Sequence, residues 1–246
     1  IDLYGTNAKF DIDDKTSVQG YIFYTHDDND TAAAGALPSS DKAVKTYVVG
    51  GLATLNPVKN LLASLEVAYQ WGNRRQAAGG ADQDWSYTAW AFQPMLSYNF
   101  DVKYAPNLTL MYTHLTGDWN PAFYDQALNN VAYAIIPFSN IQVYNVKGSI
   151  KPADDITLMA NYGFYMRTKE EDVLTAPYAN AGAVNYGTYT MRAEKELGSA
   201  LDLTATYDYT EDVQFGLTTG MFIPGRAFEG DNNKAVQVIG SMKVTF

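Results

Sequence analysis

The stretch that decides the fold is residues 61–71, which read LLASLEVAYQW. Every second residue of the stretch is apolar, while Ser64, Glu66 and Gln70 alternate with the apolar positions. A period of two residues places successive side chains on opposite faces of an extended chain. The stretch therefore predicts a β-strand with one apolar face and one polar face.

The same alternation recurs along the chain in segments of about ten residues that are separated by turn signals. Residues 156–167, 201–209 and 236–246 repeat it, and helical periodicity is nearly absent. Eleven strands can be counted in this way. Residues 184–196 also alternate weakly, so they are either an extension of a long connection or a twelfth strand.

Composition narrows the possible functions. The chain has 246 residues, of which 47% are hydrophobic, 14% aromatic and 18% charged, so it is not a disordered segment. A formal net charge of −10 argues against nucleic acid as a partner. The absence of cysteine excludes disulfides and thiolate metal sites. The longest apolar run, residues 131–136, is too short for a membrane helix.

Alternation alone fits a soluble antiparallel sandwich as well as a membrane barrel. Three features favour the barrel: segments of ten to fourteen residues, aromatic residues at segment ends, and connections that alternate between short and long. On this pattern the fold class is all-β, an antiparallel transmembrane β-barrel of the bacterial outer membrane. The short connections are 13–16, 56–60, 101–107, 151–155 and 211–212. The long ones are 28–42, 73–84, 117–139 and 169–196, followed by a shorter polar stretch at 225–234.

Strand parity bears on the domain organisation. With eleven strands and a last strand that descends to the periplasm, the first strand must also descend. We therefore expect residues 1–246 to be a single β-barrel domain that is the carboxyl-terminal portion of a longer barrel. The alternative is a whole twelve-stranded barrel in which residues 184–196 form a strand. We favour the first interpretation because it keeps short and long connections alternating to the end.

The carboxyl-terminal part of the chain carries a family resemblance. Met242, Val244 and Phe246 resemble the assembly signal of bacterial outer-membrane proteins. Residues 196–202, with 207–209 and 220–225, are similar to the closing strands of the alginate-export outer-membrane channel family. This resemblance implies a barrel of about eighteen strands that conducts an anionic polysaccharide outward.

The polar face of each strand lines the pore if the apolar face contacts lipid. Six basic and four acidic residues then give a slightly positive lumen, which predicts a channel with a weak anion preference. Among them Arg167, Lys147 and Lys243 are expected to attract anions. The alternative is that these charges form neutral cross-strand pairs in a plugged lumen. The predicted pore-lining residues are Lys9, Lys45, Lys147, Arg167, Lys169 and Lys243, acidic Asp11, Glu66, Asp202 and Asp208, and polar Gln70 and Asn161.

The connection 117–139 is long and aromatic, with Trp119, Pro121, Phe123 and Tyr124. Long loops of this kind are often functional. We therefore predict that it forms a constriction or lid over the pore. The same loop can equally pack outward against a neighbouring protein.

An enzyme is the competing class, because some outer-membrane barrels are phospholipases or proteases. His26 and His114 are the two histidines of the chain. Asp28 stands two residues beyond His26, and Thr116 stands two beyond His114 in place of the expected serine. We therefore expect no catalytic residue, metal or cofactor. A third possibility is a barrel that serves as a scaffold for a partner protein. The expected contacts are outer-membrane lipid, lipopolysaccharide and a polar or anionic solute.

Overall fold

The computed structural model describes residues 2–27, 44–78, 81–120, 128–133, 135–136, 138–170, 175–176, 189–190, 192–228 and 233–245. Within this part of the chain, eleven strands form one antiparallel sheet in which sequence neighbours pair. The sheet strands are β1 (Asp2–Asp13), β2 (Thr16–Asp27), β3 (Val44–Leu55), β4 (Leu61–Ala78), β5 (Ala81–Asn99), β6 (Asn107–Leu115), β7 (Ile141–Ala153), β8 (Ile156–Met166), β11 (Glu196–Asp208), β12 (Val213–Pro224) and β13 (Ala235–Val244).

Two smaller elements lie in the long connections. The strands β9 (Thr175–Ala176) and β10 (Tyr189–Thr190) pair only with each other, while β8 pairs directly with β11. Tyr189 and Thr190 are therefore not part of a twelfth strand of the sheet, and residues 184–188 and 191 lie outside the described residues. A single turn of helix, α1 (Asn130–Tyr133), interrupts the connection between β6 and β7. No helix in the described part of the chain is long and apolar enough to cross a membrane.

The two faces of the sheet differ as the alternation predicted. On β4, Leu65 is 46% exposed, whereas Gln70 is fully buried on the opposite face. The same contrast holds on β11, where Leu203 is 51% exposed and Asp202 is 3% exposed. Apolar side chains thus cover the outer face of the sheet. That arrangement is suited to contact with hydrocarbon and is the reverse of a soluble sandwich, whose apolar residues face inward.

The five short connections all lie at the same end of the strands, as the sequence predicted. In the turn after β3, Asn60 adopts a left-handed conformation with φ of 69°, which asparagine tolerates better than most residues. The backbone N–H of Asn56 donates to the carbonyl of Lys15 at 2.8 Å and so ties two neighbouring turns together.

One predicted connection was wrong. Residues 73–84 were expected to form a long polar loop, but β4 and β5 continue to pair up to Ala78 and Ala81. Only Gly79 and Gly80 separate the two strands in the sequence. A hairpin that projects beyond the hydrocarbon layer can form its backbone hydrogen bonds without alternating apolar side chains. The polar sequence of these residues therefore gave no sign of the strands.

Two belts of aromatic side chains run around the outer face. In the first belt, the centroids of neighbouring rings from β1 to β5 are 4.7–6.2 Å apart. A second group of rings continues this belt across β5–β7. Its members are Tyr4, Tyr24, Tyr47, Trp71, Tyr69 and Trp90, then Phe92, His114, Tyr112 and Tyr144. The second belt lies beside the short turns and includes Tyr98, Phe100, Tyr207, Tyr209 and Phe215. Such belts occupy the two membrane interfaces of outer-membrane barrels.

Adjacent positions on β11 test which face contacts lipid. Leu203→Arg places a charge on the outer face near mid-strand, and we expect it to lower the free energy of unfolding by about 2–4 kcal/mol. Thr204→Arg changes the inner face, where Thr204 and Thr218 share a hydrogen bond of 3.0 Å, and should cost no more than about 1.5 kcal/mol. Denaturant unfolding in lipid vesicles measures both. Equal losses in the two variants would contradict the assignment of faces.

Candidate functional site

The described residues of the connection between β6 and β7 fold into the concave face of the sheet, and residues 116–140 are called the inner loop below. Its described residues contact strands on both sides of the sheet. Asn120 bonds to β3 and β4, whereas α1 packs against β11, β12 and β13. Strands so far apart in the sheet order can meet one loop only if the sheet curves around it. The polar inner face is therefore the wall of a lumen that the inner loop enters.

The first anchor of the inner loop is Gln70 on β4. Its side-chain amide forms two hydrogen bonds with the backbone of Asn120: Nε2 donates to the Asn120 carbonyl, and Oε1 accepts from the Asn120 N–H, each at 2.7 Å. Both polar atoms of a fully buried amide are thereby paired, as burial requires. Asn120 also approaches Thr46 Oγ1, which is 2.8 Å from the hydroxyl of Tyr87.

The second anchor consists of Asp202, Asn129, Asn161 and Tyr165. Asp202 Oδ2 accepts from the backbone N–H of Asn130 at 2.8 Å and from Asn129 Nδ2 at 3.3 Å. Asn129 Oδ1 accepts from the hydroxyl of Tyr165 at 2.8 Å, and Nδ2 also donates to the Asn161 carbonyl. Asn161 in turn donates to the carbonyl of Leu128. The anchor thus joins β8 and β11 to the start of α1.

Apolar packing reinforces the two anchors. Trp119, Val131 and other loop side chains are buried against apolar residues of the inner wall. Two wall glycines leave space that the loop fills: a Cβ on Gly163 would lie 2.4 Å from Asn129 Oδ1, and one on Gly220 would lie 3.3 Å from the Cβ of Val131. The buried loop residues are Trp119, Val131, Ala132, Ile136 and Phe138, and the wall residues include Leu115, Ile141, Val143, Leu197, Ala200 and Phe222.

Four of the predicted pore-lining residues lie on the wall against the inner loop, and three of them hold it. Gln70, Asn161 and Asp202 belong to the anchors, and Glu66 accepts a hydrogen bond of 2.7 Å from the hydroxyl of Tyr21. Sequence reasoning missed Asn129, Tyr165, Gly163 and Gly220. The two glycines could have been found from the sequence, because glycine inside a strand often marks a close approach of another backbone.

The remaining inner-phase charges lie on β1, β7, β11 and β13. Lys9 and Asp11 form an ion pair of 3.2 Å on β1, and both side chains are well exposed. Lys147 lies on the same face of β7 as buried Asn145, and it is exposed. Asp208 accepts from Gln214 Nε2 at 2.7 Å, and Gln214 is the cross-strand partner of Lys243.

Three predicted pore residues are not on the inner strand wall, and for Lys45 the prediction was wrong. Lys45 alternates with buried Thr46, so it shares the outer face with Tyr47 of the aromatic belt. Arg167 follows the end of β8 and is buried, and its Nη1 donates to the carbonyl of Arg192 at 3.0 Å. Lys169 lies in the connection after β8, where its backbone N–H donates to Asn140 Oδ1.

On the strands alone, the predicted pore residues show no positive excess. Of the ten charged residues predicted to line the pore, three basic and four acidic ones keep an inner strand position. The basic residues are Lys9, Lys147 and Lys243, and the acidic ones are Asp11, Glu66, Asp202 and Asp208. Of the loop residues predicted to form the constriction, Trp119 is buried in the inner loop, whereas Pro121, Phe123 and Tyr124 fall outside the described residues.

The two histidines lie on the outer face. The His114 ring stacks on Phe92 with centroids 5.0 Å apart, and its Nδ1 is 3.3 Å from the hydroxyl of Tyr112. Thr116 Oγ1 accepts a hydrogen bond of 2.9 Å from the backbone N–H of Trp90. The described contacts therefore pair the Thr116 hydroxyl with Trp90 and not with His114, unlike a nucleophile and its base. Over the described ranges, no group of three or more His, Asp or Glu residues is placed to hold a metal ion.

An antiparallel sheet with an apolar outer face, two aromatic belts and a polar inner wall defines a transmembrane β-barrel of the bacterial outer membrane. The chain belongs to the alginate export family, whose model matches residues 11–240. A search of curated proteins found no match. The resemblance to the alginate-export family is thereby confirmed, as are the fold class and the outer-membrane location.

One solved outer-membrane protein has a similar fold. The outer membrane protein OprD from Pseudomonas aeruginosa matches with a TM-score of 0.51 and 14% identity over 98% of this chain and 59% of its own. This chain thus spans about three fifths of the length of OprD. OmpT of Vibrio cholerae gives a TM-score of 0.40 and 10% identity, covering 98% of this chain and 88% of its own. The likeness to OprD concerns the fold alone.

The second anchor generates a test of loop docking. Asp202→Ala removes the acceptor for the Asn130 N–H and the Asn129 amide, and we expect it to destabilise the docked loop by about 1–3 kcal/mol. Asp202→Asn keeps an acceptor oxygen and should lose less. Hydrogen exchange at the Asn130 amide reports the change directly. Asp208→Ala, an exposed inner-phase control, should leave that exchange rate unaltered; equal acceleration in Asp202→Ala and Asp208→Ala would refute the anchor.

Proposed function

We propose that this chain forms the wall and the constriction of an outer-membrane channel that passes polar solutes without chemistry. The observation that carries the proposal is the inner loop, which is bound to opposite sides of the curved sheet at Gln70 and Asp202. A segment held in this way narrows the lumen at a fixed depth. Solutes then pass beside the loop, or the loop moves to admit them.

The charge of the wall favours the passage of polar solutes over the passage of strongly anionic ones. Among the predicted pore residues, the acidic and basic groups on the strands are nearly balanced, and Lys9 is already paired with Asp11. Fixed charges facing a narrow aqueous path set ion preference. We therefore propose weak selectivity. Export of an anionic polysaccharide is the second candidate, favoured by the family to which the chain belongs.

The edges of the sheet bear on the complete barrel. In the described part of the chain, β1 pairs only with β2, and β13 pairs only with β12. Unpaired backbone groups at a strand edge are costly within hydrocarbon, so spanning sheets close into barrels. We propose that residues 1–246 are a single barrel domain and that further strands between β13 and β1 complete a larger barrel.

Ion selectivity provides the test of the channel. In planar bilayers the full-length protein should form conducting pores. Lys147→Glu, on the inner face, should shift the permeability ratio toward cations by roughly fivefold, the factor given by about 1 kcal/mol between unit charges 4 Å apart in water. Lys45→Glu makes the same charge change on the outer face and is the matched control. An absence of conductance would overturn the channel proposal, and equal shifts in both variants would overturn the assignment of the wall.

A further inference from the structure

A cavity of about 370 Å³ lies between the inner loop and the lumen wall. The loop contributes Trp119 and Leu128, and the wall contributes residues of β2, β4, β5 and β6. The volume is at the lower end of the range of small-molecule sites. A solute on the path of the proposed channel passes close to this cavity, because the cavity adjoins the inner loop.

Glu66 on β4 supplies the charge of the cavity. Its side chain is partly buried, and the described lining contains no lysine, arginine or histidine. The ion pairs of the described residues do not include Glu66. Withdrawing a carboxylate from water without a cation to pair with it costs free energy. A cation in the cavity would offset this cost.

The neighbouring strands hold Glu66 in place and leave one of its oxygens open. The hydroxyl of Tyr21 on β2 reaches across β3 and donates to Glu66 Oε1 at 2.7 Å. Gly50 permits this reach, since a Cβ on Gly50 would lie 2.4 Å from the Tyr21 hydroxyl oxygen. Glu66 Oε2 has no hydrogen-bond partner among the described residues and keeps accessible surface. The carboxylate is thus positioned by one oxygen and free to bind a ligand with the other.

A second open acceptor lies beside Glu66. Gln93 on β5 is the cross-strand partner of Glu66, and its Nε2 donates to Thr113 Oγ1 at 2.8 Å. In the described part of the chain Gln93 Oε1 has no such partner, and it too keeps accessible surface. Paired residues of antiparallel strands have Cβ atoms about 4.5–5.5 Å apart, so one small group lies within reach of both side chains.

We infer that this cavity binds the ammonium group of a small organic amine. An ammonium group is a cation with three N–H donors and no acceptor, which matches a carboxylate without a counter-charge beside a free amide oxygen. This inference rests on the proposed function, because it names the class of solute that the channel would hold at its constriction. The apolar part of the lining suits the hydrocarbon of the amine and includes Ala68, Ala91, Met111, Leu115 and Leu128.

Other classes of solute match the cavity less well. A divalent metal ion such as Ca²⁺ takes roughly six to eight oxygen ligands, whereas the described lining offers a single carboxylate. An anionic solute meets the repulsion of Glu66 with no basic residue in that lining to offset it. A neutral solute gains hydrogen bonds but no ion pair. The cavity therefore favours a monovalent organic cation.

The test measures block of the ion current through the full-length protein in planar bilayers by cyclohexylammonium and by cyclohexanol, which differ at one polar group. Dissociation constants are extrapolated to zero voltage, because a charged blocker responds to the membrane potential. We expect cyclohexylammonium to bind at least about tenfold more tightly, since hydrogen bonds between charged groups are stronger than neutral ones. Cyclohexanecarboxylate should bind more weakly than cyclohexanol.

Two carboxylate variants locate the site. Glu66→Gln keeps the shape of the side chain and removes its charge, so cyclohexylammonium affinity should fall about tenfold while cyclohexanol affinity stays within about twofold. Asp208→Asn makes the same charge change on the inner face outside the cavity and should leave both affinities unchanged.

Four results would overturn this inference and leave the channel intact, each obtained with conducting pores. They are equal binding of the amine and the alcohol, tighter binding of the carboxylate, equal effects of the two variants, and displacement of the amine by equimolar calcium. Absence of conductance would instead overturn the proposed function itself.

Discussion

The structure depends on one constraint, which is that no backbone N–H or C=O may stay unpaired inside hydrocarbon. Eleven strands satisfy it by pairing with their sequence neighbours in a single antiparallel sheet within the described part of the chain. Pairing with a period of two leaves one side of each strand for lipid and the other for the lumen. The apolar outer face, its aromatic belts and the polar inner wall all follow from this division.

The inner wall has a second consequence, because polar side chains that face inward can hold another segment. Gln70 and Asp202 do so at opposite sides of the curved sheet, and each pairs with loop backbone. The wall glycines Gly163 and Gly220 leave the space for this contact. The lumen is therefore not an empty tube lined with free charge. Several of its polar side chains hold the inner loop in place. Glu66 and Trp119 lie beside a cavity.

Local alternation was enough to predict the strands, their faces and the edge that carries the short turns. It also identified Glu66, Gln70, Asn161 and Asp202 as inner residues, because each lies inside a strand where the phase is fixed. It failed where the alternation loses contrast, at Lys45, which stands at the start of a strand rich in small residues. Arg167 and Lys169 lie beyond the last residue of β8, so the strand does not test their predicted role. The docking of Asn129 depends on contacts between distant strands, which no local pattern records.

The most direct test of the account is the accessibility of nitroxide labels on the outer and inner faces. The chain has no cysteine, so single substitutions such as Leu217→Cys and Thr218→Cys give unique labelling sites. In vesicles, the label at position 217 should collide with lipid-dissolved oxygen and be protected from an aqueous nickel chelate, whereas the label at 218 should lack this lipid signature. Shielding of position 217 from both reagents would indicate a dry protein interior there and would contradict the barrel.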